Sequence, residues 1–137
     1  MQGMLEHMTQ LLRPDGLVNS PAFTHVAIVP PGATTVYVGG QNAVDGDGTL
    51  IGGDDVAAQT ERVMTNLKIA LAAAGATVHD LVMVNILLVE GADLAKAYPV
   101  AAAGLDGATP PVVAARVAAL GVPGALLEVS AVAAVTA

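Results

Sequence analysis

The sequence predicts an α+β domain in the order β-β-α-β-α-β-β, with one mixed sheet and both helices on one of its faces. Three observations predict it. Apolar residues recur at three- and four-residue spacing from Val56 to Ala74, between aspartates on one side and Gly75 on the other, which marks a helix. A second helical segment follows Asp93. The runs around both are short and either β-branched or continuously apolar, so they are of strand type and length. With 137 residues the chain makes one domain: residues 1–22 form an N-terminal segment and 23–137 the folded unit.

Thr24 to Val29 is the first expected strand, broken by Pro30-Pro31-Gly32. Thr35 to Val38 is the second, and the two are expected to form a hairpin that ends at Gly39-Gly40. Asp45-Gly46-Asp47-Gly48 is a turn. Asp54 or Asp55 caps the first helix, whose stripe is Val56, Val63, Leu67, Ala70 and Ala74, and Gly75 stops it. Leu81 to Val89 reads as a buried strand. Asp93 caps a helix from Leu94 to about Ala103, which Pro99 should kink or shorten. Val112 to Ala118 and Ala125 to Val132 complete the sheet around a turn at Gly121 to Gly124.

Composition excludes several function classes. Apolar residues make up 54% but aromatics only 2%, so the core is built of Ala, Val and Leu. Small side chains limit what one subunit buries, and oligomerisation is expected. The net charge is −7, and the five cations, Arg13, Arg62, Lys68, Lys96 and Arg116, stand singly. Nucleic acids are bound mainly by clustered cations and stacking aromatics, so no nucleic-acid partner is expected. No apolar run is long enough to span a membrane, and Met1 to Leu12 lacks the features of a secretory leader. The opening residues to Met8 read as a cloning remnant. The absence of cysteine removes disulfides and thiolate chemistry and suits a cytoplasmic protein.

Motifs for common chemistries are absent. His7, His25 and His79 have no metal-ligand spacing, so no metal is expected. Gly39-Gly40-Gln41 lacks the Lys-Ser/Thr of a phosphate loop, and neither Ser20 nor Ser130 sits in a nucleophile elbow. Two charged residues draw attention instead. Glu128 lies within the apolar Leu126 to Val132, where it either faces solvent by strand alternation or holds water in a cleft. Arg116 is the one cation between Val112 and Ala131; it is either an exposed or interface-paired residue or a clamp for a carboxylate. The amides Gln59 and Asn66 are expected to satisfy backbone groups, and Gln41 has the same structural reading.

The succession of Gly39-Gly40-Gln41, a turn, the helix bearing Gln59 and Asn66, its Ala-Ala-Gly stop, and the strand bearing Glu128 resembles the Rid family (YjgF/YER057c/UK114). The resemblance covers about Phe23 to Ala134. It implies the chorismate mutase-like YjgF fold, a homotrimer with a central barrel, and small-molecule clefts at the subunit interfaces. It also implies hydrolysis of enamines and imines without a cofactor, with Glu128 positioning the water. The remaining site positions it implies are Phe23, Gly39, Gly40, Tyr98, Val112, Ala114 and Arg116. Several depart from the archetypes. Val112 stands where they carry a carboxylate-binding Arg, and Ala114 where they carry a Cys. Gly39 replaces a Ser, Tyr98 an Asn, and Phe23 a Tyr. Arg116 faces the same side as Val112 but lies about 13 Å further along the strand. These departures imply weak action on carboxylated imines and favour a substrate that lacks a carboxylate, with apolar groups against Val112 and Phe23. Two other readings stay open: a trimer that binds a metabolite without turnover, and the ribonuclease or translation-inhibitor activity given to some relatives.

Overall fold

The computed structural model describes residues 7–136. Most of the stretch read as a cloning remnant therefore lies outside the described residues. The strands are β1 (Gln10–Leu12), β2 (Val26–Ile28), β3 (Thr34–Gln41), β4 (Leu81–Val89), β5 (Val112–Val117) and β6 (Leu127–Val135); the helices are α1 (Val56–Ala73) and α2 (Leu94–Leu105). A four-stranded sheet has the order β3-β6-β4-β5. β4 and β5 run parallel, joined through α2, and the other pairs are antiparallel.

The expected hairpin does not form. β2 pairs with β1, which the sequence pattern did not announce, while β3 pairs with β6. Pro30 and Pro31 explain the separation, because neither offers an N–H and both fix φ where a tight hairpin turn would need freedom. Gly39-Gly40 also does not end its strand. β3 continues to Gln41 through a register shift, in which Val38 faces Ala131 and Gln41 faces Val129. The two glycines are thus the extra length of a bulge opposite Ser130.

Asp55, not Asp54, caps α1, its carboxylate accepting from the N–H groups of Ala57 and Ala58 at 3.0 and 3.2 Å. The buried stripe includes Val56, Val63 and Leu67 as expected. It ends on Leu71, however, and Ala74 is exposed, because it lies past the helix end as the C-cap residue. Gly75, at φ 72°, supplies the left-handed turn that stops the helix. Asp93 caps α2 through the N–H of Ala95. Pro99 does not shorten α2, which reaches Leu105. The packing of Ala97, Ala101 and Leu105 against the core holds the later turn in place. Gly104 lets the helices approach closely: a Cβ there would lie 2.9 Å from Met64 atoms.

The helices cover one sheet face, where Val38, Val84, Leu88, Leu127, Val129, Ala131 and Ala133 meet Val63, Leu67 and Leu71. The opposite face carries Tyr37, Met83, Leu87, Val113, Glu128, Ser130 and Val132, by the register of the strands. It is bare in one subunit, with Tyr37 79% and Val113 52% exposed.

Candidate functional site

Five of the site residues expected from the sequence line one pocket of about 570 Å³: Phe23, Tyr98, Val112, Ala114 and Arg116. Such a volume suits a small molecule. β5 builds one wall. Val112, Ala114 and Arg116 alternate along it and face the helix layer, as their partners Val84, Ile86 and Leu88 do. α2 builds the other wall with Leu94, Tyr98, Ala101 and Leu105. Ile86 and Leu88 form the floor. Thr24 places Phe23 at one end, since its N–H and its hydroxyl both donate to Thr109 O, at 3.0 and 2.6 Å. Phe23 is therefore half-buried at a cleft and not a member of the main core. Arg116 lies at the other end, exposed, with Nη1 donating to Ala92 O at 3.0 Å.

β5 is also an edge strand. The bonds from Val84 N–H to Pro111 O and from Glu90 N–H to Val117 O direct the odd-numbered residues of β5 toward β4. By alternation, the N–H and C=O of Val112, Ala114 and Arg116 point out from the free edge, beside the pocket. They are donors and acceptors in a wall that is otherwise apolar.

Glu128 does not line this pocket. It pairs across the ladder with Leu87 and lies on the bare face of the sheet. Its carboxyl rests on the bulge: a Cβ built on Gly40 would lie 2.5 Å from Cδ of Glu128. Only glycine permits this approach without moving the acid. Among the described residues no ion pair involves Glu128; the one present joins His79 Nε2 to Asp106 Oδ2 at 3.4 Å on the surface. Gly39 keeps open space above it, and its carbonyl accepts from Gln41 Nε2 at 3.1 Å. The site residues thus fall into two groups on opposite sides of one sheet, and a single subunit cannot bring them together.

The other polar residues are structural. Gln59 is fully buried; its Nε2 donates to Gly53 O and Gly124 O, and its Oε1 accepts from Leu126 N–H. Asn66 Nδ2 donates to Asn42 O and Val44 O at 2.9 and 2.8 Å. Asn42, which sequence reasoning missed, donates in turn to Leu127 O from a buried position. These amides tie the loop before α1 and the turn before β6 to the helix. His25 Nε2 donates to Val18 O at 2.7 Å, and its ring meets Phe23 edge-on at 5.5 Å, so it supports the cleft from behind. Asp45 caps its own turn through the N–H groups of Asp47 and Thr49, and those bonds hold its carboxyl below the usual range. Among the described residues no three His, Asp or Glu side chains converge to hold a metal ion, and no helix is long and apolar enough to cross a membrane. The pocket's floor and helix wall were also missed, since Ile86, Leu94, Ala101 and Leu105 look like any other apolar residues in strand and helix patterns.

The comparisons with known proteins agree on the family. A family model described as "Endoribonuclease L-PSP" matches residues 19–135. A solved Yersinia pestis protein of unknown function from the conserved Rid family, YyfB, is 30% identical, with 91% of this chain and 97% of that one covered and a TM-score of 0.77. RidA from an Antarctic Psychrobacter is also 30% identical, at 85% and 96% coverage and TM-score 0.66. Rv2704 of Mycobacterium tuberculosis, a member of the YjgF/YER057c/UK114 family, is 27% identical at 93% and 100% coverage, with a TM-score of 0.61.

Proposed function

The chain belongs to the endoribonuclease L-PSP family, the Rid or YjgF/YER057c/UK114 proteins, and on that premise we propose that it is an enamine/imine hydrolase with an altered substrate, working as a homotrimer. The observation that carries this reading is Glu128: a half-buried carboxylate on the bare sheet face, laid against a glycine bulge and with no ion-pair partner among the described residues. In the assembly implied by the family resemblance, copies meet through that bare face, and the pocket of one subunit receives Glu128 of the next. Glu128 holds a water and takes its proton as the oxygen attacks the imine carbon. The proton passes to the nitrogen of the tetrahedral intermediate, Glu128 then carries the hydroxyl proton to the same nitrogen as the C–N bond breaks, and a carbonyl compound and ammonia leave. Backbone N–H groups at the free edge of β5 stabilise oxygen as charge develops on it. Val112 offers no clamp at the pocket's Phe23 end, so small imino acids are poor substrates.

A second reading, binding without turnover, is favoured by the pocket wall, which among the described residues contains no carboxylate or imidazole and one charge. Ribonuclease activity has the least support, because the net charge is −7 and the cations are scattered.

The test is ammonia release from imines generated in place by an amino-acid oxidase, over a range of side chains. Turnover by the wild type that is lost in Glu128→Ala supports hydrolysis. Absence of turnover in the wild type, with activity gained in Val112→Arg, overturns it in favour of binding.

A further inference from the structure

We infer that the pocket between β5 and α2 takes an amphipathic monocarboxylate, its anionic end at Arg116 and its apolar body running back along β5 to Phe23. The inference rests on reading this pocket as the ligand cleft, and it names the class of ligand. Of the described residues lining the cavity only Arg116 is charged. It sits at one end, four residues from Val112, or about 13 Å along the strand. Between the two ends the subunit offers a mostly apolar lining that includes Ala114, Ala101, Ile86 and Leu88, with Tyr98 on the helix wall.

The guanidinium is set up for the task. One nitrogen is fixed by Ala92 O, which fixes the side chain's direction while leaving other N–H groups free. No carboxylate among the described residues pairs with it. The nearby acids Glu90 and Asp93 line a separate depression together with Lys96. A planar fork with free donors beside an apolar trough matches a carboxylate with a hydrocarbon or aryl tail. The separation also explains why a cation four residues along does not replace the missing one at Val112. A small imino acid cannot reach both ends, whereas a longer ligand uses Arg116 with its reactive or distal part against Phe23.

The test uses the whole protein and isothermal titration calorimetry with octanoate and its neutral counterpart octanamide, so that no turnover is needed. Octanoate should bind saturably and more tightly than octanamide. Arg116→Ala should weaken octanoate about tenfold, the size of a hydrogen bond to a charged group, and leave octanamide unchanged. Arg116→Lys should fall between the two. Ala114→Phe, which fills the trough, should abolish binding of both, and circular dichroism checks that each variant folds. Octanoate binding that ignores Arg116→Ala or survives Ala114→Phe overturns the inference, as does absence of binding. Loss of imine hydrolysis with this binding pattern intact removes the hydrolase reading alone. Hydrolysis without the pattern removes only the ligand class.

Discussion

Two regions of this molecule use polar groups in opposite ways. Around Gln59, Asn66 and Asn42, each amide, buried or half-buried, is bonded to the backbone of neighbouring loops. On the bare sheet face, Glu128 has no ion-pair partner among the described residues and lies against the glycine bulge. The first arrangement stabilises the fold. The second leaves a charged group free for something outside the subunit. The difference separates residues that share one family pattern but have different work to do.

Substitution on the amide side should have the largest effect on stability. Gln59→Leu keeps the volume but leaves Gly53 O, Gly124 O and Leu126 N–H, all in part-buried bonds, without these partners. Each orphaned group costs roughly 1–3 kcal/mol, so a loss of about 3–5 kcal/mol is expected in urea denaturation. A loss near zero would mean that water replaces the amide and would break the contrast.

Gly40→Ala comes next and separates function from stability. The new Cβ would sit 2.5 Å from Glu128 Cδ, so the carboxylate must move. A shift of that size in a catalytic group is expected to lower imine turnover about a hundredfold, with a much smaller change in the denaturation midpoint. Glu128→Gln should sharpen the point. With no ion pair to lose, stability should stay within about 0.5 kcal/mol while hydrolysis disappears. Equal loss of stability and activity in either variant would place Glu128 with the structural residues.

The two regions also differ in how far the sequence announced them. α1 and β4 were legible because their signals are local: an aspartate cap, a glycine stop, and a continuous apolar run. Strand partners are not local. Nothing in Gln10–Leu12 marks a strand of three residues, and nothing in β2 says that it pairs backward with that strand and not forward with β3. The glycine pair read as a stop because a bulge and a strand end use the same residues. The alternation that puts Val112, Ala114 and Arg116 on one side of β5 was readable from their spacing. Phe23 and Tyr98 came only from family resemblance, and α2's wall carried no signal that distinguishes a cleft from a core. That Glu128 faces away from the pocket could not be read at all, because it depends on which strands lie between them.

The smallest effect belongs to a third polar group, Asp45, which combines both behaviours: it is half-exposed at the surface, yet its carboxylate is occupied by backbone donors. The N–H groups of Thr49 and Asp47 bond the ionised form and lower its pKa in the folded state. Folding therefore favours the carboxylate, and the stabilisation is present above the unfolded-state value of about 3.9. It is lost as pH falls through the lower folded value. Asp45→Asn removes the titration while an amide oxygen can still accept from the same donors. The variant should differ little from wild type near neutrality, and its stability should fall less steeply in acid, as read by denaturation midpoints measured below pH ~4. An unchanged acid slope would mean that the turn opens before the carboxyl protonates. Asp45 would then be a solvated surface group, neither satisfied like Gln59 nor held ready like Glu128.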